Sequence, residues 1–320
     1  MPAPVTTLVA VAAILVIGAA ATAVARAISS RLDHDQRDRW LPWLMVAPVL
    51  AVLGVWVVVP AFQTVWLSLV HDGRFAGADH LGWLLSSSGA RTALRNTVAW
   101  AVLVPTISVS VALGLAMLAE RLRSGRLLVT VVLAPAMVSF AAVAVTWRIL
   151  LAFRPAGTDQ VGLLNQMVTT LGLDPVAWLV QPPVNTVLIA GGLVWATAGV
   201  CVLVLSAAIA RVPEEVRDAA RVDGADQTQV FARVTLPSIK GAVVVAAAVT
   251  AIMSIRVFDL VWITTGGDHG STVAGTAMFQ TALVEDQPGR GAALAVAMLV
   301  LIVPAATVLV RRVRRAEALR

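Results

Sequence analysis

EEVRDAARVDGADQTQVFARVTLP, residues Glu214–Pro237, places eight charged residues between two long apolar runs. Its local pattern is that of two short helices. Pro213 suits a helix start, where a missing N–H costs nothing, and Glu214 and Glu215 suit the positive end of the helix dipole. Gly224 stops the first helix, and Asp226 caps a second whose Val230, Phe231 and Val234 gather on one side. Pro237 is expected to end that second helix before the next apolar run begins. A phenylalanine on so polar a pair is expected to be exposed and to anchor a partner, the alternative being that both helices pack on the chain's own membrane segments.

The surroundings of this interruption are those of a membrane protein. The 320 residues are 59% hydrophobic and 13% charged, against about 25% charged in ordinary soluble domains. Mean hydropathy is +0.86. Windows long enough to cross a bilayer as helices occur at Thr6–Ala25, Leu41–Ala61, Thr97–Ala119, Leu127–Trp147, Val184–Ala210, Gly241–Thr264 and Ala292–Val310. Lipid offers no partner to free backbone groups and no barrel-type alternation is present, so the fold class is all-α, a polytopic membrane protein with about seven transmembrane helices.

Basic residues orient the windows. Arg26, Arg31, Arg37 and Arg39, then Arg121, Arg123 and Arg126, then Arg211, Arg217, Arg221, Arg233 and Lys240, then Arg311, Arg312, Arg314, Arg315 and Arg320 make up 17 of the 24 basic residues. These four segments alternate as cytoplasmic loops must, which places the N-terminus outside and the C-terminus in the cytoplasm. The net charge of +6 thus reflects retention at the cytoplasmic face, beside anionic lipid, rather than nucleic-acid binding. The first window ends in ATAVARA, which has the small residues of a signal-peptide cleavage site. No Lys or Arg precedes it while several follow, which favours a retained helix.

Catalytic patterns are missing. Lys240 is the only lysine and follows Pro237-Ser238-Ile239 rather than a glycine-rich phosphate loop, so no ATPase resides here. There is no H-E-x-x-H, no paired-cysteine metal motif and no G-x-S-x-G elbow. Cys201 stands alone within the fifth window and is read as a small hydrophobe. His34, between Asp33 and Asp35, is read as part of a solvated linker, and His269 in GGDHG as an outer turn residue.

The spelling of the polar interruption resembles the inner-membrane permease subunits of binding-protein-dependent ABC importers. Their cytoplasmic signature begins Glu-Ala-Ala, continues Asp-Gly-Ala and ends near Leu-Pro. Here Asp218-Ala219-Ala220, Asp223-Gly224-Ala225, Phe231 and Leu236-Pro237 follow in that order. Asp218 stands where Glu is usual, keeping the charge on a shorter arm. Gly241 stands where a second Pro is frequent, which alters the entry into the next helix. The resemblance runs from about Trp40 to Val310, through ALRNTVAWAVLVP, LGLAMLAER, LLVTVVLAPAMV and TWRILL. The stretch FDLVWITTGGDHGSTVAGTAMFQTAL is similar to the outer loop of maltose-type and related carbohydrate permeases.

That resemblance implies a type I ABC importer permease fold and a division into 1–39, an extra N-terminal helix with a cytoplasmic linker, and 40–320, the permease domain carrying a coupling loop at 211–238. It implies a transporter subunit rather than an enzyme, moving a sugar or oligosaccharide inward through the plasma membrane. The implied partners are ATP-binding subunits, a second permease subunit and an extracytoplasmic solute-binding protein. ATP and Mg would be used by the partner ATPase, with no cofactor on this chain. Asp218, Ala219, Ala220, Asp223, Gly224, Ala225, Phe231, Leu236 and Pro237 would form the ATPase-coupling element. The alternatives are a non-sugar solute such as a polyol or phosphorylated glycerol, an ATP-independent carrier, or a membrane-embedded enzyme.

Six further residues are candidates for the solute pathway. Trp195, Thr197, Met253 and Ser254 are candidates to line a sugar path on the fifth and sixth helices, since aromatic faces and hydroxyls suit sugar recognition, with helix packing as the plainer reading. Arg256 and Asp259, the only charges inside an apolar window, are three residues apart. They are expected to share one helix face and to pair, at an outer gate or as a structural ion pair, unless the helix ends before them.

Overall fold

The computed structural model describes residues 18–19, 22–24, 26–27, 34–71, 74–75, 77 and 79–317. The first apolar window lies largely outside them, and with it the reading of a retained amino-terminal helix. Apart from turns and loops, the described elements are helices plus one short antiparallel pairing of β1 (Val70–His71) with β2 (Arg74–Phe75).

The chain divides between Leu67 and Ser68 into two units. In the first, α1 (His34–Leu53) passes through a π-helical turn at Gly54–Val58 into α2 (Val59–Leu69), whose last two residues already count with the second. Met45–Leu69 is long and apolar enough to span a bilayer. Leu50, Trp56 and Phe62 are all exposed on it. A helix apolar on every side belongs in lipid or against another membrane helix.

The second unit comprises α3 (Asp79–Ser86), α4 (Ser88–Arg121), α5 (Gly125–Leu133), α6 (Phe140–Leu150), α7 (Leu163–Thr170), α8 (Val184–Ile209), α9 (Glu214–Val222), α10 (Gln227–Val230), α11 (Leu236–Ile255), α12 (Asp259–Thr265), α13 (Ala274–Phe279) and α14 (Pro288–Glu317). Helices α4, α8 and α11 form its centre. Val109, Ala112 and Ala116 of α4 meet Cys201, Val202 and Leu205 of α8 and Ala246 of α11 in one buried cluster. Nearer the other end of α4, Trp100 and Val104 pack with Val143, Ile189, Leu193, Leu260 and Val261. Small residues bring backbones together, as lipid-embedded packing requires. A Cβ on Gly199 would stand 2.3 Å from the carbonyl oxygen of Val132, so α8 lies directly on the α5 backbone there.

Two windows differ from their sequence reading. The fourth is not one straight span: α5 and α6 meet at an angle of 98°. Pro135 lies in a 3₁₀ turn at Ala134–Met137, Val138 is extended, and Ser139 caps α6 by accepting the Ala142 N–H at 3.3 Å. Uniform hydropathy hid a break that is made by backbone chemistry. The sixth window ends early, because α11 stops at Ile255 and α12 begins afresh at Asp259. With that correction, five described helices are long and apolar enough to cross a membrane, or six if the bent α5–α6 pair counts as one span.

Polar side chains tie the intervening loops to the helices. Asn96 donates to the carbonyls of Gly270 and Thr272, each at 2.8 Å, and Asn185 donates to that of His269 at 2.9 Å. Asn165 is fully buried and uses both ends of its amide: it donates to Ala152 and Val176 and accepts from the Val176 N–H and the Trp178 indole. Satisfied in this way, the groups avoid the cost of burial without a partner.

Candidate functional site

The polar interruption forms the expected helix, elbow and helix. Pro213 precedes α9, Glu214 and Glu215 fill its first turn, and Arg221 lies in its last, all matched to the dipole. Asp223 closes α9 and Gly224 follows at φ +85°, a left-handed conformation that suits glycine. The Ala225 N–H then reaches the Ala220 carbonyl at 3.0 Å. Asp226 accepts the Gln229 N–H at 2.8 Å while the Gln229 side chain accepts the Asp226 N–H at 3.1 Å, a reciprocal capping box that starts α10.

Beyond that point the sequence reading needs correction. Pro237 does not end the second helix: Gln227–Ile255 is one continuous helical path. A π-helical turn at Phe231–Thr235 precedes the proline, with the Leu236 N–H donating to the Phe231 carbonyl. This wider turn lets the chain pass Pro237 without a break. As a consequence α10 is a continuous extension of the membrane helix α11.

Phe231 also differs from expectation. It is half-buried and lines a groove of about 250 Å³ against Met117 and Glu120 of α4 and Arg217 of α9. The apolar side chains that α9 presents outward are Val222, 87% exposed, and Val216, 49% exposed. With exposed Ala219 and Asp223 they recur at three- and four-residue spacing on one face. Asp218 is exposed and pairs with Arg221 at 2.6 Å. Ala220, Ala225 and Leu236 are half-buried, and Pro237 is exposed.

Arg217, immediately before the Asp-Ala-Ala triplet, fastens α9 to the membrane helices. Its guanidinium pairs with Glu120 near the end of α4 and donates to the carbonyls of Ile209 at 2.7 Å and Val212 at 3.2 Å. The arginine side chain is only 14% exposed. One planar fork therefore serves the carboxylate, the last carbonyl of α8 and the Val212 carbonyl in the turn beyond it, a geometry that an ammonium group does not reproduce. The sequence reading passed over this link. Its available signal was the lone carboxylate of LAER at the end of an apolar window.

The solute-pathway candidates divide. Thr197 and Met253 meet across α8 and α11 in an apolar cavity of about 60 Å³, shared with Cys201 and Thr250. That is well below the roughly 300–1,000 Å³ of ordinary ligand pockets. Thr197 donates to the Leu193 carbonyl at 2.8 Å and meets Ser108 at 3.0 Å. Ser254 is fully buried and donates to the Thr250 carbonyl at 2.8 Å. Trp195 lies elsewhere on α8, 41% exposed and stacked on Trp147 with ring centres 6.0 Å apart. Arg256 and Asp259 belong to different helices and form no ion pair with each other. Arg256 closes α11 and is exposed, while Asp259 opens α12 and is half-buried. Beside Asp259 the rings of Phe258, Trp262 and Phe279 cluster at 4.9–5.7 Å, a grouping missed in the sequence because Phe279 comes from the far side of the loop between α12 and α13.

Comparison with known proteins follows the same outline. Residues 108–316 match the family described as binding-protein-dependent transport system inner membrane component. The osmoprotective compounds uptake permease protein GgtC of Synechocystis sp. is 37% identical over 87% of this chain and its own full length. The alpha-glucoside transport system permease protein AglF of Rhizobium meliloti is 36% identical, over 82% of this chain and 79% of its own. The trehalose/maltose transport system permease protein MalF of Thermococcus litoralis is 31% identical, over 76% and 82% respectively. Among solved structures, a chain of a bacterial alginate ABC transporter in complex with alginate pentasaccharide-bound periplasmic protein shares the fold. Its TM-score is 0.71 and its identity 24%, over 86% of this chain and 96% of that one.

Proposed function

We propose that this chain, which belongs to the family of binding-protein-dependent transport system inner membrane components and is a transporter subunit rather than an enzyme, carries a sugar or oligosaccharide across the membrane. The substrate class rests on the similar permeases named for alpha-glucosides and for trehalose and maltose. A non-sugar solute such as a polyol or phosphorylated glycerol is the second reading; one similar permease is named for osmoprotective compounds rather than for a sugar.

The observation that carries the mechanism is the α9 helix, locked through Arg217 to α4 and α8, with Val222 and Val216 turned outward. A short helix fixed at its root and apolar at its tip is a lever with a docking surface. In this proposal residues 1–39 precede a permease domain at 40–320, and the coupling loop 211–238 faces the cytoplasm, as does the C-terminus, with the N-terminus outside. Asp218, Ala219, Ala220, Asp223, Gly224 and Ala225 shape the lever and its elbow. Phe231, Leu236 and Pro237 join it to α11. An ATP-binding subunit, using ATP and Mg, grips the lever. A second permease subunit completes the pathway, and an extracytoplasmic solute-binding protein delivers the cargo. Trp195, Thr197, Met253, Ser254, Arg256 and Asp259 remain the pathway candidates, Thr197 and Met253 as a closed seam that must part for solute to pass.

Reconstitution of the complete transporter tests this reading. Labelled maltose or trehalose, supplied with the cognate binding protein, is expected to accumulate in proteoliposomes only when ATP and the ATPase are present. Accumulation without the ATPase would establish an independent carrier instead, and selective uptake of glycerol phosphate or a polyol would establish the second reading.

A further inference from the structure

At the end of the bundle opposite α9, a cavity of about 340 Å³ opens between α3, the start of α4, α13 and the start of α14. Trp83, Thr272, Gln280, Thr281, Glu285 and Arg290 contribute to its lining. None of them belongs to the coupling element or to the pathway candidates. The volume lies within the ordinary range of small-ligand pockets, and the lining mixes one aromatic face with donors and acceptors of several kinds.

The walls are held in place from several sides. A π-helical turn at Gln280–Val284 widens the helix, and the Glu285 N–H donates to the Gln280 carbonyl at 2.9 Å. Such turns recur at functional sites. Asp286 adopts φ +53°, an uncommon conformation for a residue other than glycine, and the next N–H, of Gln287, donates to the Thr281 carbonyl at 2.9 Å. Two glycines bring α14 into direct contact with its neighbours. A Cβ on Gly289 would stand 2.5 Å from Nε2 of His80, and one on Gly291 would stand 2.5 Å from the Ala282 Cβ.

Arg290 is the pivotal group. It is half-buried, its guanidinium lies 5.2 Å over the Trp83 ring, and its Nη1 donates to the Gln287 side chain at 2.6 Å. Among the described residues no carboxylate lies within ion-pair distance of it. Stacked on an indole, a guanidinium keeps several N–H donors in a fixed plane. Glu285 and Gln280 supply acceptors on the same cavity, and Thr281 a hydroxyl. Arg290 disfavours a simple cation and Glu285 a simple anion, while the polar groups disfavour a hydrocarbon. A neutral polyhydroxylated molecule meets each requirement, with its C–H face on the indole and its hydroxyls on the fork and the acceptors.

We propose that this cavity is a solute subsite for a neutral saccharide or polyol, lying on the outer face and separate from the Thr197–Met253 seam. The placement and the ligand class rest on the proposed function above. Titration of the assembled transporter in nanodiscs, without binding protein or nucleotide, tests it. The probes are maltose, trehalose, sucrose and mannitol, with choline as a cationic and glucuronate as an anionic control. Saturable binding of at least one neutral probe is expected. It is expected to weaken by about tenfold or more in Trp83→Ala and in the exposed pair Gln280→Ala/Glu285→Gln, the second guarding against a packing defect in the first. Unchanged affinity in both variants, saturation by a charged control in place of the neutral probes, or no binding of any neutral probe overturns the subsite. The proposed function fails by a different result, the absence of ATP-driven sugar uptake by the wild-type complex. Normal uptake together with unaltered binding in the variants removes the subsite and leaves that function intact.

Discussion

Replacing Arg217 by alanine is expected to abolish most ATP-driven uptake while leaving the protein inserted in the membrane. The change removes at one stroke the ion pair to Glu120 and the hydrogen bonds to the Ile209 and Val212 carbonyls. Hydrogen bonds to a charged group are worth about 1.5–3 kcal/mol each, but Glu120 is 43% exposed, so solvent returns part of its share. A net loss on the order of 2 kcal/mol is small for a bundle whose buried clusters lie elsewhere, yet large for the attachment of one nine-residue helix. The lever would then move without moving α4 and α8. Arg217→Lys is expected to fall between, because a single ammonium cannot meet three acceptors arranged for a planar fork. Glu120→Gln, which keeps a hydrogen-bond acceptor, is expected to be milder than either. The check is the ratio of ATP hydrolysed to solute accumulated, which rises when transmission fails. A wild-type ratio in correctly inserted Arg217→Ala would show that this link carries no force.

The elbow gives the second large effect, and its sign depends on backbone conformation rather than on space. Gly224 sits at φ +85° with nothing within 4 Å of the position a Cβ would take. A bulky neighbour therefore cannot explain a loss of function there. An L-residue in the left-handed region costs roughly 1–2 kcal/mol, least for asparagine, and proline, fixed near −65°, cannot adopt it. The expected order of uptake is glycine, then Gly224→Asn, then Gly224→Ala, with Gly224→Pro lowest and reduced by about tenfold or more. Equal uptake by Gly224→Pro and wild type would mean that the elbow angle is irrelevant to transport.

Much of this element was legible in the sequence because its signals are local. Pro213, the two glutamates, Gly224 and Asp226 each act on their own turn of backbone, so the helix, elbow and helix appear where they were expected. The composition and the apolar windows were equally sufficient for a polytopic helical fold. What escaped reading depends on atoms far apart in the chain. The direction of Phe231 is decided by the groove between α4 and α9. That groove in turn is set by Arg217 meeting a carboxylate 97 residues earlier.

Hydropathy averages also conceal breaks that cost little composition. Pro135 and Ser139 bend the fourth window without adding a charge. In the sixth, Arg256 and Asp259 do not pair on one helix; they mark the end of one and the start of the next, the early helix end that the sequence had left open. Pro237 shows the opposite error. A proline in a helical pattern is ordinarily a stop, but the π-helical turn before it lets α10 and α11 run as one rod. For the proposed lever this is favourable, since a continuous rod transmits displacement that a flexible joint would absorb.

The central claim is that the outward face of α9 is held by an ATP-binding subunit on the cytoplasmic side, and a thiol at its tip tests it most directly. Val222 is 87% exposed and the native Cys201 is buried, so Val222→Cys offers one reactive position against a quiet background among the described residues. Crosslinking in membranes containing the assembled transporter is predicted to join this cysteine to the ATP-binding subunit, with protection from impermeant thiol reagents added outside. Labelling from the outer face, or crosslinks formed with the extracytoplasmic binding protein and none with the ATPase, would contradict it.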